Sequence, residues 1–295
     1  MLLATIKDGC LFGIEAIKIM YNNNMKTKQD NKEKTGNGEK YMNIAYTVDI
    51  QGIGAQQFAD QLYVSISSLR KSKKDTENIK VHIFYGNITV ELAESLHRLD
   101  TDTFHVYLHK IQQSDLNFMQ QFTKQNPNSI SRAWCGIVYA RLWLAKFLMN
   151  ESRCLYLDAD TLIRNSVSDL YNSDLKGKSL GMVMGCIPEY GYNSGVIVMH
   201  LEKIRKDNRW EQLNEHLRKY ALSYFLPDQT VINRFYLNDI CELPVKYNYP
   251  PRTDIPYNGS KLADDAVIWH FYNGGTKPIR FNESDIAKSE WNSFL

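Results

Sequence analysis

Two features of the sequence predict an α/β fold with a mostly parallel central sheet flanked by helices. From Met42 onward, strand-like segments alternate with helical ones, and several of the strands are apolar almost without interruption. The alternation implies crossover connections, and unbroken apolar strands are those buried on both faces. The length of 295 residues suits one large domain of this class.

The segment MNIAYTVD (42–49) reads as the first strand, and FADQLYVSISSLRKS (58–72) as an amphipathic helix. A second strand, KVHIFYG (80–86), is followed by the helical TVELAESLHRL (89–99) and a third strand, TFHVYLHKI (103–111). Residues 131–149 read as one long helix, and CLYLD (154–158), LGMVMG (180–185) and GVIVMHL (195–201) as strands. Ligands of such sheets bind beyond the carboxyl ends of the strands, which directs the search for chemistry there.

The residues before this pattern are of two kinds. Residues 1–21 form a short amphipathic segment, with Leu3, Ile6, Cys10, Ile14 and Ile17 at helical spacing and four charges interrupting the apolar run. That pattern fits neither a bilayer span nor a signal peptide. It suits docking on the domain or peripheral contact with a membrane surface. Residues 22–40, NNNMKTKQDNKEKTGNGEK, lack apolar anchors and read as a disordered polar linker. A single domain is expected over residues 41–295, with Met42 an alternative start.

The composition excludes several classes. Hydrophobic residues at 43% and charged residues at 23% are ordinary globular values. A net charge of +2, with no basic aromatic run, points away from nucleic acid. Eighteen tyrosines and five tryptophans are generous, a feature of carbohydrate-handling proteins as well as of cores. The five cysteines form no CxxC pair, which argues against a thiolate zinc site and a disulfide framework. A reduced cytosolic protein is expected, with Cys154 and Cys186 as small buried hydrophobes.

The chemistry begins at YLDAD. Asp158 ends an apolar strand, and in an extended chain Asp160 points to the same side, with Ala159 between them. Two carboxylates at a strand end repel unless a cation lies between them, and paired hard oxygens suit Mg2+ or Mn2+. Such an ion commonly also holds substrate phosphates. A second D-x-D, Asp100 and Asp102, precedes a strand and reads as a turn with solvated charges. Two enzymes fit the first pair: a nucleotide-sugar glycosyltransferase, or a haloacid-dehalogenase-like phosphatase with Asp158 as nucleophile. The phosphatase motif fails at Leu162, although Asp264 and Asp265 imitate its late acidic pair.

Three further motifs follow in order: YNSGVIVMHL (192–201), LPDQTVIN (226–233) and VIWHFYNGGTKPI (267–279). Together with YLDAD, they resemble glycosyltransferase family 8 over about residues 42–280. That family includes bacterial lipopolysaccharide galactosyl- and glucosyltransferases and glycogenin. The resemblance implies a GT-A fold, a UDP-hexose donor (glucose or galactose), a divalent metal, usually manganese, and retention of anomeric configuration. It implies His270 as a third metal ligand beside Asp158 and Asp160. It places Gly275 and Lys277 at the diphosphate, Thr47 and Asp49 at the uracil end, and Arg141 at the donor site. Asn193 is implied to contact the donor hexose, and Asp228 and Gln229 to line the reacting face of the sugar.

Each of these residues also has a plain structural reading. Asp49 and Asp228 suit helix caps or turns, Asn193 a turn, and Arg141 a snorkelling surface charge. His270 ends the apolar strand VIWH and should lie at the same sheet edge as Asp158. The family pattern departs at Gly185, where many relatives carry an aspartate that contacts the sugar; whether nearby Glu189 substitutes for it is left open by the sequence. This departure leaves donor identity open. It is also the sole support for a non-enzymatic alternative, an inactive nucleotide-sugar-binding protein.

The metal is expected to act as a Lewis acid on the departing UDP, assisted by Lys277. Retention leaves open two displacements, with Asp228 the nearby carboxylate, or front-face attack. The acceptor implied by family analogy is a glycan or glycolipid of a bacterial surface. The residues after KPI carry no basic aromatic tail, so membrane attachment is not expected there. The location expected is cytoplasmic, with peripheral contact at the inner face of the membrane.

Overall fold

The computed structural model describes residues 40–52, 54–124, 136–251, 264–272 and 286–295. The amphipathic segment 1–21 and all of the linker except Lys40 lie outside them. Seven strands form the main sheet in the order β3-β2-β1-β4-β7-β6-β8. They are β1 (Tyr41–Val48), β2 (Asn78–Tyr85), β3 (Phe104–Lys110), β4 (Cys154–Leu157), β6 (Leu180–Met184), β7 (Tyr192–Met199) and β8 (Ile240–Glu242). The β1/β2, β2/β3, β1/β4 and β6/β8 pairs are parallel. Strand β7 runs antiparallel to both neighbours, β4 and β6. The mostly parallel sheet flanked by helices is therefore as expected.

Side-chain alternation along these strands feeds two apolar layers. Ile44 and Tyr46 of β1, Ile83 of β2 and Leu155 and Leu157 of β4 pack with Leu62, Ile66 and Leu69 of helix Ala55–Ser72. Ala45, Tyr156, Met182 and Ile197 face the other side, against Tyr139, Leu142, Leu213 and Ile232. Both faces are covered, which explains why the strands read as continuous apolar runs. Large side chains such as Tyr46, Leu62 and Ile83 are fully buried there.

The structure corrects four expectations. In place of one long helix over 131–149, Gly136–Trp143 forms a 3-10 helix and Leu144–Phe147 one short α turn. Gly136 lies against the backbone of Met119 and Gln120, where a Cβ would sit 2.6 Å from the Gln120 nitrogen. The chain is tightened where it crosses the preceding helix, Gln113–Lys124. Second, strand β9 (Ile268–His270) is not part of the main sheet; it pairs antiparallel with β5 (Thr161–Ile163), and Thr161 stands opposite His270. Third, Cys186 is only half-buried because it lies beyond the end of β6, whereas Cys154 is fully buried. Fourth, Asp100 is more than a solvated turn charge: it accepts from the Val106 amide at 3.1 Å and pins the entry to β3.

Candidate active site

The site forms where β4 ends and β5 begins. The two serines on the buried face of helix Ala55–Ser72 explain how this junction is held. Ser65 lies 2.7 Å from the Thr161 hydroxyl, and Ser68 accepts the Ile163 amide at 3.0 Å. The Thr161 hydroxyl in turn donates to the Asp158 carbonyl at 2.8 Å. These bonds fix the sharp path of Asp158-Ala159-Asp160. The Phe271 amide donates to the Asp160 carbonyl at 2.9 Å, which locks β9 alongside.

One ligand atom from each of Asp158, Asp160 and His270 lies within 4.8 Å of the others, and these three form the one such cluster among the described residues. His270 Nε2 is 3.2 Å from an Asp160 oxygen and 3.6 Å from Asp158 Oδ2. That nitrogen is buried and has no hydrogen-bond partner. Gly195 is buried beside them, and its missing Cβ lets the His270 ring lie close to the backbone: a Cβ there would run into the ring and come within 2.7 Å of Asp158 Oδ2. Two carboxylates and an orphaned imidazole nitrogen fit a divalent cation. Hard oxygens with one imidazole suit Mn2+ or Mg2+.

The second carboxylate oxygen of Asp158 serves a different partner. Tyr156 donates to Asp158 Oδ1 at 2.7 Å, and Arg141 Nη2 approaches it at 3.0 Å. Arg141 lies over the Tyr156 ring at 4.7 Å, donates from Nη1 to the Ser194 carbonyl at 2.9 Å, and places Nε 3.2 Å from Asp228 Oδ2. It is buried rather than snorkelling, because two carboxylates meet it inside. Burial opposes its charge, but Asp158 and Asp228 more than offset this and hold it firmly protonated. Burial raises the Asp228 carboxyl above the ordinary carboxylate range, Arg141 opposes that shift, and Asp158 adds to it.

Asp228 and Gln229 lie in the first turn of helix Pro227–Phe235, which has no side-chain cap. Asp228 accepts from the Ser194 hydroxyl at 2.9 Å instead. Gln229 accepts from Asn193 at 3.3 Å and donates to the Tyr190 carbonyl at 3.3 Å. Thr47, at the end of β1, lies 3.2 Å from the Tyr156 hydroxyl, which connects it to the same cluster. Asp49 is held by Gln51 at 2.8 Å and Asn87 at 2.7 Å, beyond β1. Gly275 and Lys277 lie outside the described residues.

At Gly185 the backbone donates to the Gly191 carbonyl at 2.9 Å, and a Cβ would meet that same oxygen at 2.9 Å. An aspartate does not fit this path without a shift of the loop. Glu189 stands exposed in the turn Pro188–Tyr190 and is not in the carboxylate–imidazole cluster. Asp264 and Asp265, the late pair of the phosphatase alternative, are also exposed and outside it.

Tyr156, Ser194, Gly195 and Asn248 escaped notice in the sequence. Tyr156 is two residues before Asp158 on the same strand side, and Ser194 and Gly195 sit inside YNSG, so adjacency was the available signal. Asn248 bridges Asn193 at 2.9 Å and His270 Nδ1 at 2.8 Å, and nothing in its surroundings in the sequence announces this.

Comparison with known proteins agrees with the geometry. Glycosyltransferase GlyD of Streptococcus pneumoniae is 31% identical over 149 residues, which cover 46% of this chain and 18% of GlyD. The lipopolysaccharide 1,2-glucosyltransferase of Escherichia coli is 24% identical over 288 residues, 86% of this chain and 80% of that protein. The chain thus spans most of one relative but under a fifth of the other. Among solved structures, the galactosyltransferase LgtC with donor and acceptor sugar analogues matches with a TM-score of 0.66 at 20% identity, covering 86% of this chain and 95% of LgtC. GlyE of Streptococcus pneumoniae matches with a TM-score of 0.66 at 18% identity, covering 87% and 61%. These likenesses show a shared fold. The model for glycosyl transferase family 8 matches residues 50–281, which contain Arg141, Asp158, Asp160, Asn193, Asp228, Gln229 and His270. This chain belongs to glycosyl transferase family 8.

Proposed function

We propose that the protein transfers a hexose, glucose or galactose, from a UDP-sugar to a hydroxyl of a glycan or glycolipid, with retention of configuration. The observation that carries the metal-dependent form of this reading is the orphaned His270 nitrogen clustered with the carboxylates of Asp158 and Asp160. Asp158, Asp160 and His270 would hold Mn2+ or Mg2+. When bound, the ion supplies Lewis-acid stabilisation of charge on the departing UDP.

The chain's own residues supply the rest. Arg141 fixes Asp158 through Oδ1, leaving Oδ2 turned toward His270. Thr47 and Asp49 lie at the carboxyl end of β1, the side of the sheet where a nucleotide base belongs. Asn193 and Gln229 form an amide pair that suits the hydroxyls of a hexose. Asp228 is buried, and its Oδ2 is occupied by both Ser194 and Arg141. A carboxylate so engaged is a poor nucleophile, which favours front-face attack over two displacements. Gly275 and Lys277 belong to the same reading as diphosphate contacts, and residues 1–21 as a peripheral membrane contact.

Calorimetry with UDP tests the site directly. UDP is expected to bind in the presence of Mn2+, and Asp160→Asn to weaken that binding at least tenfold with an unchanged melting temperature. Equal UDP affinity with and without metal would contradict this reading.

A further inference from the structure

We infer that Asn248 is a positioning residue for the metal centre. Its amide oxygen holds a hydrogen on Nδ1 of His270, so that the lone pair of Nε2 faces Asp158 and Asp160. This rests on the reading of those three residues as metal ligands. The reasoning starts from a group whose polarity is fixed by its covalent structure. The Gly195 backbone N–H only donates, and it meets Asn193 Oδ1 at 3.0 Å. That atom must be the amide oxygen. The other side of the same amide agrees. Asn193 Nδ2 donates to Gln229 Oε1 at 3.3 Å, and that oxygen also takes the Ser194 N–H at 3.4 Å. Gln229 Nε2 donates to the Tyr190 carbonyl at 3.3 Å. Backbone groups therefore fix both amides.

With the Asn193 oxygen fixed, Asn248 must present its nitrogen there, at 2.9 Å. Its oxygen then faces His270 Nδ1 at 2.8 Å. An amide oxygen only accepts, so Nδ1 carries the hydrogen. In the neutral ring Nε2 is then bare, the form that a metal ligand needs. Asn193, Asn248 and His270 are 7%, 2% and 1% exposed, so bulk water does not supply a competing partner. By themselves the two carboxylates would draw the hydrogen to Nε2, and Asn248 works against that pull. A ligating histidine generally gives its other N–H to an acceptor that fixes the ring. Here that acceptor is an asparagine whose orientation traces back through Asn193 to the backbone.

The test uses the full chain labelled with 15N-histidine, metal-free and with Mg2+. Multiple-bond spectra report which ring nitrogen of His270 bears hydrogen, and electron paramagnetic resonance of free Mn2+ reports affinity. In the wild type, Nδ1 is expected to carry hydrogen in both states. Asn248→Ala is expected to lose that preference and to bind Mn2+ about 10- to 100-fold more weakly. Hydrogen on Nε2 alone in the wild type would overturn the inference, and so would wild-type affinity in a folded Asn248→Ala. A wild type that binds no Mn2+ would instead overturn the metal reading, while the ring spectrum would still decide the role of Asn248.

Discussion

Arg141 joins the buried carboxylate of Asp228 to the partly buried one of Asp158, and its removal leaves Asp228 buried without its cation. Breaking a buried pair from one side costs about 3–5 kcal/mol. Arg141→Ala is therefore expected to lose stability of that order in urea denaturation; a loss below 1 kcal/mol would contradict the burial argument. Arg141→Lys keeps a charge but loses the planar fork that reaches Asp158, Ser194 and Asp228 together, and it should recover only part of the loss. Gly195 makes a sharper prediction. A methyl group at position 195 would overlap the His270 ring and crowd Asp158 Oδ2, so the ring must move away from the carboxylates. Gly195→Ala should abolish Mn2+ binding in a paramagnetic resonance titration, whereas retained affinity would mean that the ion sits elsewhere. The family motifs made Asp158, Asp160, Asn193 and His270 legible in the sequence. Asn248 was illegible because its role depends on a contact with Asn193, 55 residues earlier in the chain.

Elements decide how these residues meet. The sequence places His270 at the end of an apolar strand but gives no hint that β9 leaves the main sheet to pair with β5. Three-residue strands carry too little periodicity to reveal a partner. Apolar periodicity alone makes 131–149 look like one helix, whereas packing of Gly136 on a neighbouring backbone decides for the 3-10 form. By contrast, β1, β2 and the helix between them were legible to within three residues at their ends, the strands because both of their faces are buried. The β2–β3 pair carries a pH prediction. His82 is buried between Asn43 Oδ1 at 3.2 Å and His109 at 3.1 Å. Burial, then His109 and Lys80, lower its pKa to about 3, and burial lowers that of His109 to about 4. The unfolded chain takes up these protons near pH 6.5, before the folded protein does. Stability should therefore fall as pH drops from about 6.5 toward 4. His82→Phe should narrow the gap between melting temperatures at pH 7 and pH 4.5; an unchanged gap would show that other groups dominate acid lability.

At the scale of the whole molecule, the main sheet and the small β5–β9 pair have separate tasks. The sheet sets the ends of β1 and β4 beside the start of antiparallel β7, and the small pair brings His270 to the carboxylates. Among the described residues, no helix is long and apolar enough to cross a membrane. The family was legible in the sequence because its four motifs mark the three strands and the helix start where this chemistry gathers. Donor and acceptor were not, because exposed turns such as Pro188–Tyr190 carry no comparable pattern. The most direct measurement is UDP release from UDP-glucose and UDP-galactose, with and without Mn2+, by the wild type and by Asp158→Asn. We expect metal-dependent release from one of the two sugars, reduced at least 100-fold in a variant that remains folded. Full activity of Asp158→Asn, or equal release without metal, would contradict the account.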